Sequence, residues 1–342
     1  MKRFSNLFLA FALFSIYAVN AQTIRDDVKY PYTWTTTTNP LLKHAYACDP
    51  SAKVFKDGKV WVLTSHDDND ALNYSTMLNY HLFSSEDLKT WTDHGIVLDV
   101  DDVSWATSDL WAPDICERNG KYYIYVPAGA DHRIGVFVSN RPEGPYKDAL
   151  GKPLIPITGA IDPMVYVDDD GQAYMYFSRK GKYCYVVKLK DNMIEMDGEI
   201  EELTNKSLRN TTDGDWQFVE GPFVHKRNGI YYMTYPAKMY KHGAPYNNHN
   251  GDELLCYATS KSPMGPFVYA GKISGFSGIH TFHQSIITFK GEDWMFYHNG
   301  QLAKENGGWE HAMYRRSMCL NKLYYNEDGS IRFFEQKKNI FE

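Results

Sequence analysis

Three carboxylates, an indole and an imidazole stand at matching places in five well-separated stretches of the sequence: Asp49, Trp111, Asp162, Glu220 and His283. Each opens a strand-like run, and a turn glycine follows nine residues later in four of them (Gly58, Gly120, Gly171, Gly229) and eight later in the fifth (Gly291). Taken singly, Asp49-Pro50 and Asp162-Pro163 read as turn initiators and Glu220-Gly221-Pro222 as an ordinary loop. The shared register argues otherwise, because apolar or aromatic strands follow at once and buried, clustered carboxylates repel one another unless they have work to do. Two carboxyl groups facing each other across a cleft are what glycoside hydrolysis requires: one protonates the leaving oxygen while the other activates water or attacks carbon. A third beside the acid would help it keep its proton near neutral pH. These residues alone do not say which carboxylate takes which part. Trp111, with Trp105 shortly before it, offers an apolar face to a sugar ring, the competing reading being a core indole. His283 could hold a metal ion or an axial water, or be a hydrogen-bonded core residue, since a single His without neighbouring ligands is thin evidence for a metal.

The elements that must position these groups are short strands. Runs such as D-P-S-A-K-V-F-K-D-G-K-V-W-V-L from Asp49 and E-G-P-F-V-H-K-R-N-G-I-Y-Y-M-T from Glu220 are hairpins with Asp-Gly or Asn-Gly turns, where both central residues must tolerate positive φ. Further strand-like runs follow each hairpin, and a second recurrence lies there: S-N-R-P-E-G-P-Y at Ser139 and S-K-S-P-M-G-P-F at Ser260. The unit starts are 62, 51, 58 and 63 residues apart, with 59 left to the C-terminus. A period of this size built from about four short strands marks a propeller blade. The expected fold is therefore all-β, a five-bladed β-propeller; a β-sandwich with similar hairpins is the alternative. In a propeller the first strand of every blade lines the central channel, so equivalent positions converge on one end of the axis.

The chain opens with Lys2 and Arg3, an apolar stretch from Leu7 to Val19, and small residues at Val19 and Ala21, the pattern of a secretory signal peptide over residues 1–21. That places the protein as secreted or periplasmic, with no membrane span after cleavage, and leaves residues 22–342 as one catalytic propeller. Removing residues 1–21 takes two cations with it and leaves 34 Lys and Arg against 42 Asp and Glu, a net charge of −8. So acidic a chain is unsuited to nucleic acid, whose phosphates demand a basic face. The cysteines Cys48, Cys116, Cys184, Cys256 and Cys319 are scattered singly and odd in number, which reads as buried small hydrophobes rather than a disulfide framework.

Together, A-C-D-P-S at Asp49, L-W-A-P-D at Trp111, A-I-D-P at Asp162, V-E-G-P-F at Glu220 and R-S-M-C-L-N-K-L-Y-Y-N-E-D-G-S-I from Arg316 resemble glycoside hydrolase family 43, over essentially all of residues 22–342. The resemblance implies an inverting β-xylosidase or α-L-arabinofuranosidase acting on xylan, arabinoxylan or arabinan, with Asp49 as general base, Glu220 as general acid and Asp162 as the group that tunes and orients the acid. It implies no required cofactor, with a calcium ion or a water on the axis beside His283, and a sugar contact from Arg316 or its rival Arg315. Only one of that pair can point inward, because side chains alternate across a strand. The loops H-D-D-N-D-A-L-N-Y-S-T-M-L-N-Y-H from His66 and Y-K-H-G-A-P-Y-N-N-H-N-G-D-E from Tyr240 are expected to rim the pocket. The competing functions are a non-catalytic glycan-binding propeller and a propeller glycosidase of another specificity, arabinanase, fructan-acting or agar-acting.

Overall fold

The computed structural model describes residues 28–342 apart from 205, 210–215, 242–243, 246–252 and 309–311. The proposed signal peptide, residues 1–21, lies outside the described residues, as does most of the rim loop that begins at Tyr240. Five antiparallel sheets form the ring of a five-bladed propeller. Their inner strands are Tyr46–Val54, Asp114–Arg118, Ala160–Val167, Phe223–Arg227 and Gln284–Phe289, opening blades 1 to 5 in chain order. No helix among the described residues is long and apolar enough to cross a membrane.

Each sheet is buried on both faces, and the core lies between blades. Leu63 and Leu82 of blade 1 pack with Ile115, Ile124 and Phe137 of blade 2, while Tyr125 and Val136 on the other face of blade 2 pack with Met175 and Phe177 of blade 3. Strands sandwiched this way need apolar residues at successive positions, which accounts for the aromatic-rich second strand of every hairpin. The five cysteines are buried free thiols within this packing, as their spacing implied.

Neighbouring inner strands are stitched by one recurrent contact. The amide N–H of Ala52 donates to the Ser285 hydroxyl, that of Ile115 to the Ser51 hydroxyl, and that of Val165 to the Asp114 carboxylate. The ring closes through the chain ends: Asn39 brackets Leu320 with its amide and carbonyl groups, Leu41 N–H donates to the Met318 carbonyl, and Thr38 bridges Asn339. Closure is thus built from backbone hydrogen bonds and the Asn39 side chain, which also cover the edge of the strand Ser317–Lys322.

The stitching fixes which residues are equivalent in blades 1, 2, 3 and 5, and the left-handed residue before proline, Gly221 beside Asp162, places blade 4. Ser51, Asp114, Met164, Phe223 and Ser285 share one position, so the equivalents of Asp49 are Ala112, Asp162, Gly221 and His283. Counting from the turn glycine therefore aligns Trp111 and Glu220 one residue too early. Blades 1 and 3 close their hairpins over residues 55–59 and 168–172, whereas blades 2, 4 and 5 use the two-residue turns Asn119-Gly120, Asn228-Gly229 and Lys290-Gly291. The longer turns add a residue that the glycine spacing conceals.

Candidate active site

The carboxylates sit on bulges. In blade 1 the pairing jumps between Cys48 and Ser51, leaving Asp49 and Pro50 against a single partner position, and in blade 3 it jumps between Ile161 and Met164 around Asp162 and Pro163. Asp49 and Asp162 both adopt left-handed backbone, with φ of 51° and 52°. That conformation is uncommon for a residue with a side chain but tolerated by Asp. Blade 4 uses the same device differently: Phe218 pairs with Ala237 and Phe223 with Thr234, and the residues between them arch out of the ladder. There the left-handed residue before proline is Gly221, at φ 53°, and the acidic side chain is carried one position earlier by Glu220. Bulges aim side chains out of the sheet beside active sites. This is why charges stand at the mouths of otherwise apolar strands.

The result is one cavity of about 210 Å³ at the end of the axis, lined by residues that include Asp49, Asp162, Glu220, Trp111, His283 and Arg316. Six of the seven residues expected from the sequence thus converge. Trp105 does not line this cavity. Its indole N–H donates to Asp148 at 3.1 Å and its ring lies against Gly135, where a Cβ would come within 2.4 Å of it, so Trp105 is a packing residue of the blade 2 wall. Trp111 stacks at a tilt on His132, with ring centroids 4.0 Å apart.

Electrostatics separate the carboxyl groups. Arg316 Nη1 donates to Asp49 Oδ1 at 2.9 Å, and its Nε and Nη2 each donate to Asp67 at 2.9 Å, so one buried guanidinium clamps two buried carboxylates. The Asp49 amide N–H donates to His298 Nδ1 at 3.1 Å; that nitrogen is therefore the acceptor of the ring, and Nε2 carries the proton toward Thr281. A nitrogen accepting from the amide cannot also donate to the Asp49 carboxylate, so Arg316 is the main group favouring its charge. Burial works against an ionised Asp49, but the guanidinium outweighs it and holds the carboxyl well below the usual carboxylate range. Asp162 and Glu220 go the other way. Burial raises both; Glu220 repels Asp162 further, while Lys238 draws Glu220 back down in part. Asp162 also positions the acid, since its Oδ2 accepts from the N–H of Gly221, the residue after Glu220, at 3.0 Å. Burial pushes His283 down to about 4, which leaves a neutral imidazole with Nδ1 3.9 Å from Asp49 Oδ1.

Among the described residues the side chains do not make a calcium cage. Calcium takes six to eight oxygen ligands; His283 presents nitrogen, the carboxylate beside it is already held by Arg316, and no three His, Cys, Asp or Glu side chains among the described residues converge as metal ligands.

Several members of the site went unrecognised in the sequence. Asp67, Tyr74 and Met77 come from the loop beginning at His66, which was expected to rim the pocket; Tyr74 faces the Arg316 guanidinium at 5.1 Å. Glu253 is the final residue of the stretch from Tyr240, and with Lys238 it lines the cavity on the blade 4 side. His298 falls one residue past the fifth repeat and carried no signal of its own. Arg316 rather than Arg315 points inward.

The chain resembles known proteins over most of its length. Residues 37–331 match the family Glycosyl hydrolases family 43. A xylosidase/arabinosidase of Humicola insolens is 36% identical over 85% of this chain and 98% of its own, and one from Bacteroides ovatus is 32% identical over 87% and 97%. A β-D-galactofuranosidase of Aspergillus niger is also 32% identical, over 87% and 84%. Among solved structures, a β-xylosidase/α-arabinofuranosidase from a compost microbial metagenome, in complex with xylotriose and calcium-free, superposes with a TM-score of 0.74 at 31% identity, covering 89% of this chain and 98% of that one. Matched by this family over most of its length and more than 30% identical to these relatives, the chain belongs to glycoside hydrolase family 43 and hydrolyses O-glycosyl bonds.

Proposed function

We propose that the protein releases single xylose or arabinose units from xylan-type polysaccharides by a single displacement with inversion. The observation that carries this reading is the asymmetry of the carboxyl groups in one cavity: Asp49 is held ionised by Arg316, while Glu220 is raised beside Asp162. Environments that push two carboxyls apart mark the base and the acid. Asp49 takes a proton from water as its oxygen attacks the anomeric carbon, the glycosidic C–O bond breaks, and Glu220 gives its proton to the departing oxygen. Solvent then returns a proton from Asp49 to Glu220. Asp162 holds the backbone after the acid through the Gly221 N–H, while burial and the ionised Asp49 favour the protonated form of Glu220. The cavity, at about 210 Å³, is below the ~300–1,000 Å³ of pockets that enclose larger ligands, which suits one terminal sugar ring rather than a chain threading through. The relatives named for xylosidase and arabinosidase activity supply the sugar. No step runs through a metal.

Two measurements test this. Proton NMR of the first product from a β-xyloside should show the α-anomer; the β-anomer would establish retention and sink the scheme. Replacing Glu220 by Gln should lower turnover of xylobiose or arabinoxylan by ~10²–10⁴-fold while largely sparing aryl glycosides whose leaving groups need no proton. Equal losses on both substrate types would remove Glu220 from the role of acid.

We also propose that the protein is exported, on the strength of the signal-like residues 1–21. Mass spectrometry of the native protein should find a mature chain starting at Gln22 outside the cytoplasm. A cytoplasmic product that keeps residues 1–21 would overturn this.

A further inference from the structure

A buried ion pair in the active-site wall has no place in the mechanism above. Lys238 lies on the strand Ile230–Lys241, opposite Gln217 on one side. On its other side Ala237 pairs with Leu254, which sets Lys238 across from Glu253. Lys238 Nζ donates to Glu253 Oε1 at 3.0 Å, and Glu253 Oε2 accepts from the Phe282 N–H at 2.7 Å. Both Glu253 oxygens face groups that can only donate, so the arrangement is that of a carboxylate. Lys238, Glu253 and Glu220 all line the same cavity.

We propose that Glu253 is a positioning residue for the acid: its charge cancels that of Lys238 beside Glu220, so that Glu220 enters each turnover carrying its proton. The inference rests on Glu220 being the acid. A lone ammonium in this wall would favour the ionised acid, which cannot protonate a leaving group; a lone carboxylate there would be an uncompensated buried charge. Together they leave the wall neutral. Burial and then Glu220 push Glu253 up to about 8, against Lys238 and the Phe282 N–H, whose donation to its two oxygens favours the charged form, and Lys238 lowers Glu220 as well. The remaining charges facing Glu220 belong to other blades: Asp162 from blade 3, and Asp49 with its guanidinium partner Arg316 across the axis, where the neutral His283 also stands. None of these pairs with Lys238 in the way Glu253 does. Glu253 is also tied to the loop that carries His283, since its carbonyl accepts from Ser277 and its carboxylate from Phe282. A structural role alone would therefore lower activity without moving the titration of the acid.

The alkaline limb of the kcat/KM profile reports the free enzyme's acid. In Glu253→Gln that limb should move to lower pH by about one unit or more, since an opposite charge within a few ångströms lowers a carboxyl by about 1–3 units. Adding Lys238→Met to the same chain should bring it most of the way back. Glu253→Asp, which keeps the charge, should leave the limb closer to wild type than Glu253→Gln does, and serves if the double variant does not fold. A limb that stays in place in Glu253→Gln, or that the second substitution does not restore, overturns the proposal. Glu220→Gln on an aryl glycoside separates the two levels of argument. If the alkaline limb survives there, the acid is another group and the underlying assignment fails. If it vanishes there yet does not move in Glu253→Gln, the positioning role fails alone.

Discussion

Replacing Asp49 by Asn is expected to abolish hydrolysis of natural and activated glycosides alike, with losses of ~10³-fold or more, at the upper part of the range for a positioned general base. Because no leaving group relieves the need to deprotonate water, this loss should not depend on the aglycone, in contrast to Glu220→Gln. The fold should survive. Asn is among the few residues at home in the left-handed conformation that Asp49 occupies, and Arg316 would keep its two side-chain bonds to Asp67. Rates on aryl xylosides and on xylobiose, with a thermal melt as control, check it. Activity within tenfold of wild type on either substrate would show that water is activated by another group.

The second large effect concerns Arg316. Replacing it by Met should cost ~3–5 kcal/mol of stability, the penalty for leaving buried charges without their partner, because Asp49 and Asp67 both lose their cation in the interior. The pH dependence should change as well. In the wild type the Asp49 carboxyl is depressed on folding, so it contributes stability that is complete above its unfolded value of about 3.9 and is lost as pH falls below it. Without the guanidinium only burial remains as a large influence. The folded carboxyl is then raised above the unfolded one, and its contribution at neutral pH becomes a destabilisation that acid relieves. Chemical denaturation at pH 7 and pH 5 should therefore show the gap between wild type and Arg316→Met narrowing as the pH falls. A constant gap would mean that Asp49 does not respond to Arg316.

The five-blade ring was legible because its period is written in turn residues: positive φ at the hairpin tips demands Gly, and the recurrence of that demand counts the blades. The same signal blurred the register by one position in blades 2 and 4, since a glycine marks where a turn is but not how many residues it spans. Glu220 reached the right cavity all the same, because Gly221 rather than the acidic residue adopts the left-handed conformation there, and the two offsets cancel. Trp105 could not be told from a binding residue, as an indole on a wall and an indole on a subsite look alike until Asp148 and Gly135 are seen beside it. Asp67, His298 and Glu253 were hidden for a different reason. Asp67 and His298 act through contacts between blades and Glu253 through a pair within blade 4, all from positions that do not recur, so repetition does not mark them.

The seat at the mouth of each inner strand, followed by proline in blades 1 to 4 and by Gln284 in blade 5, has a wider implication for how such a protein diversifies. The side chain there differs from blade to blade, Asp in two blades, Ala112 in one, Gly221 in another and His283 in the last, and the backbone is left-handed at Asp49, Asp162 and Gly221. At Gly221 a β-carbon would crowd Pro236 at 3.2 Å and His283 at 3.4 Å, so that seat is closed to larger residues. Ala112 sits on the cavity wall itself. Duplicated blades would thus hand evolution interchangeable sockets around a common well, and the alanine is the one where sugar preference can drift without disturbing the machinery that breaks the bond.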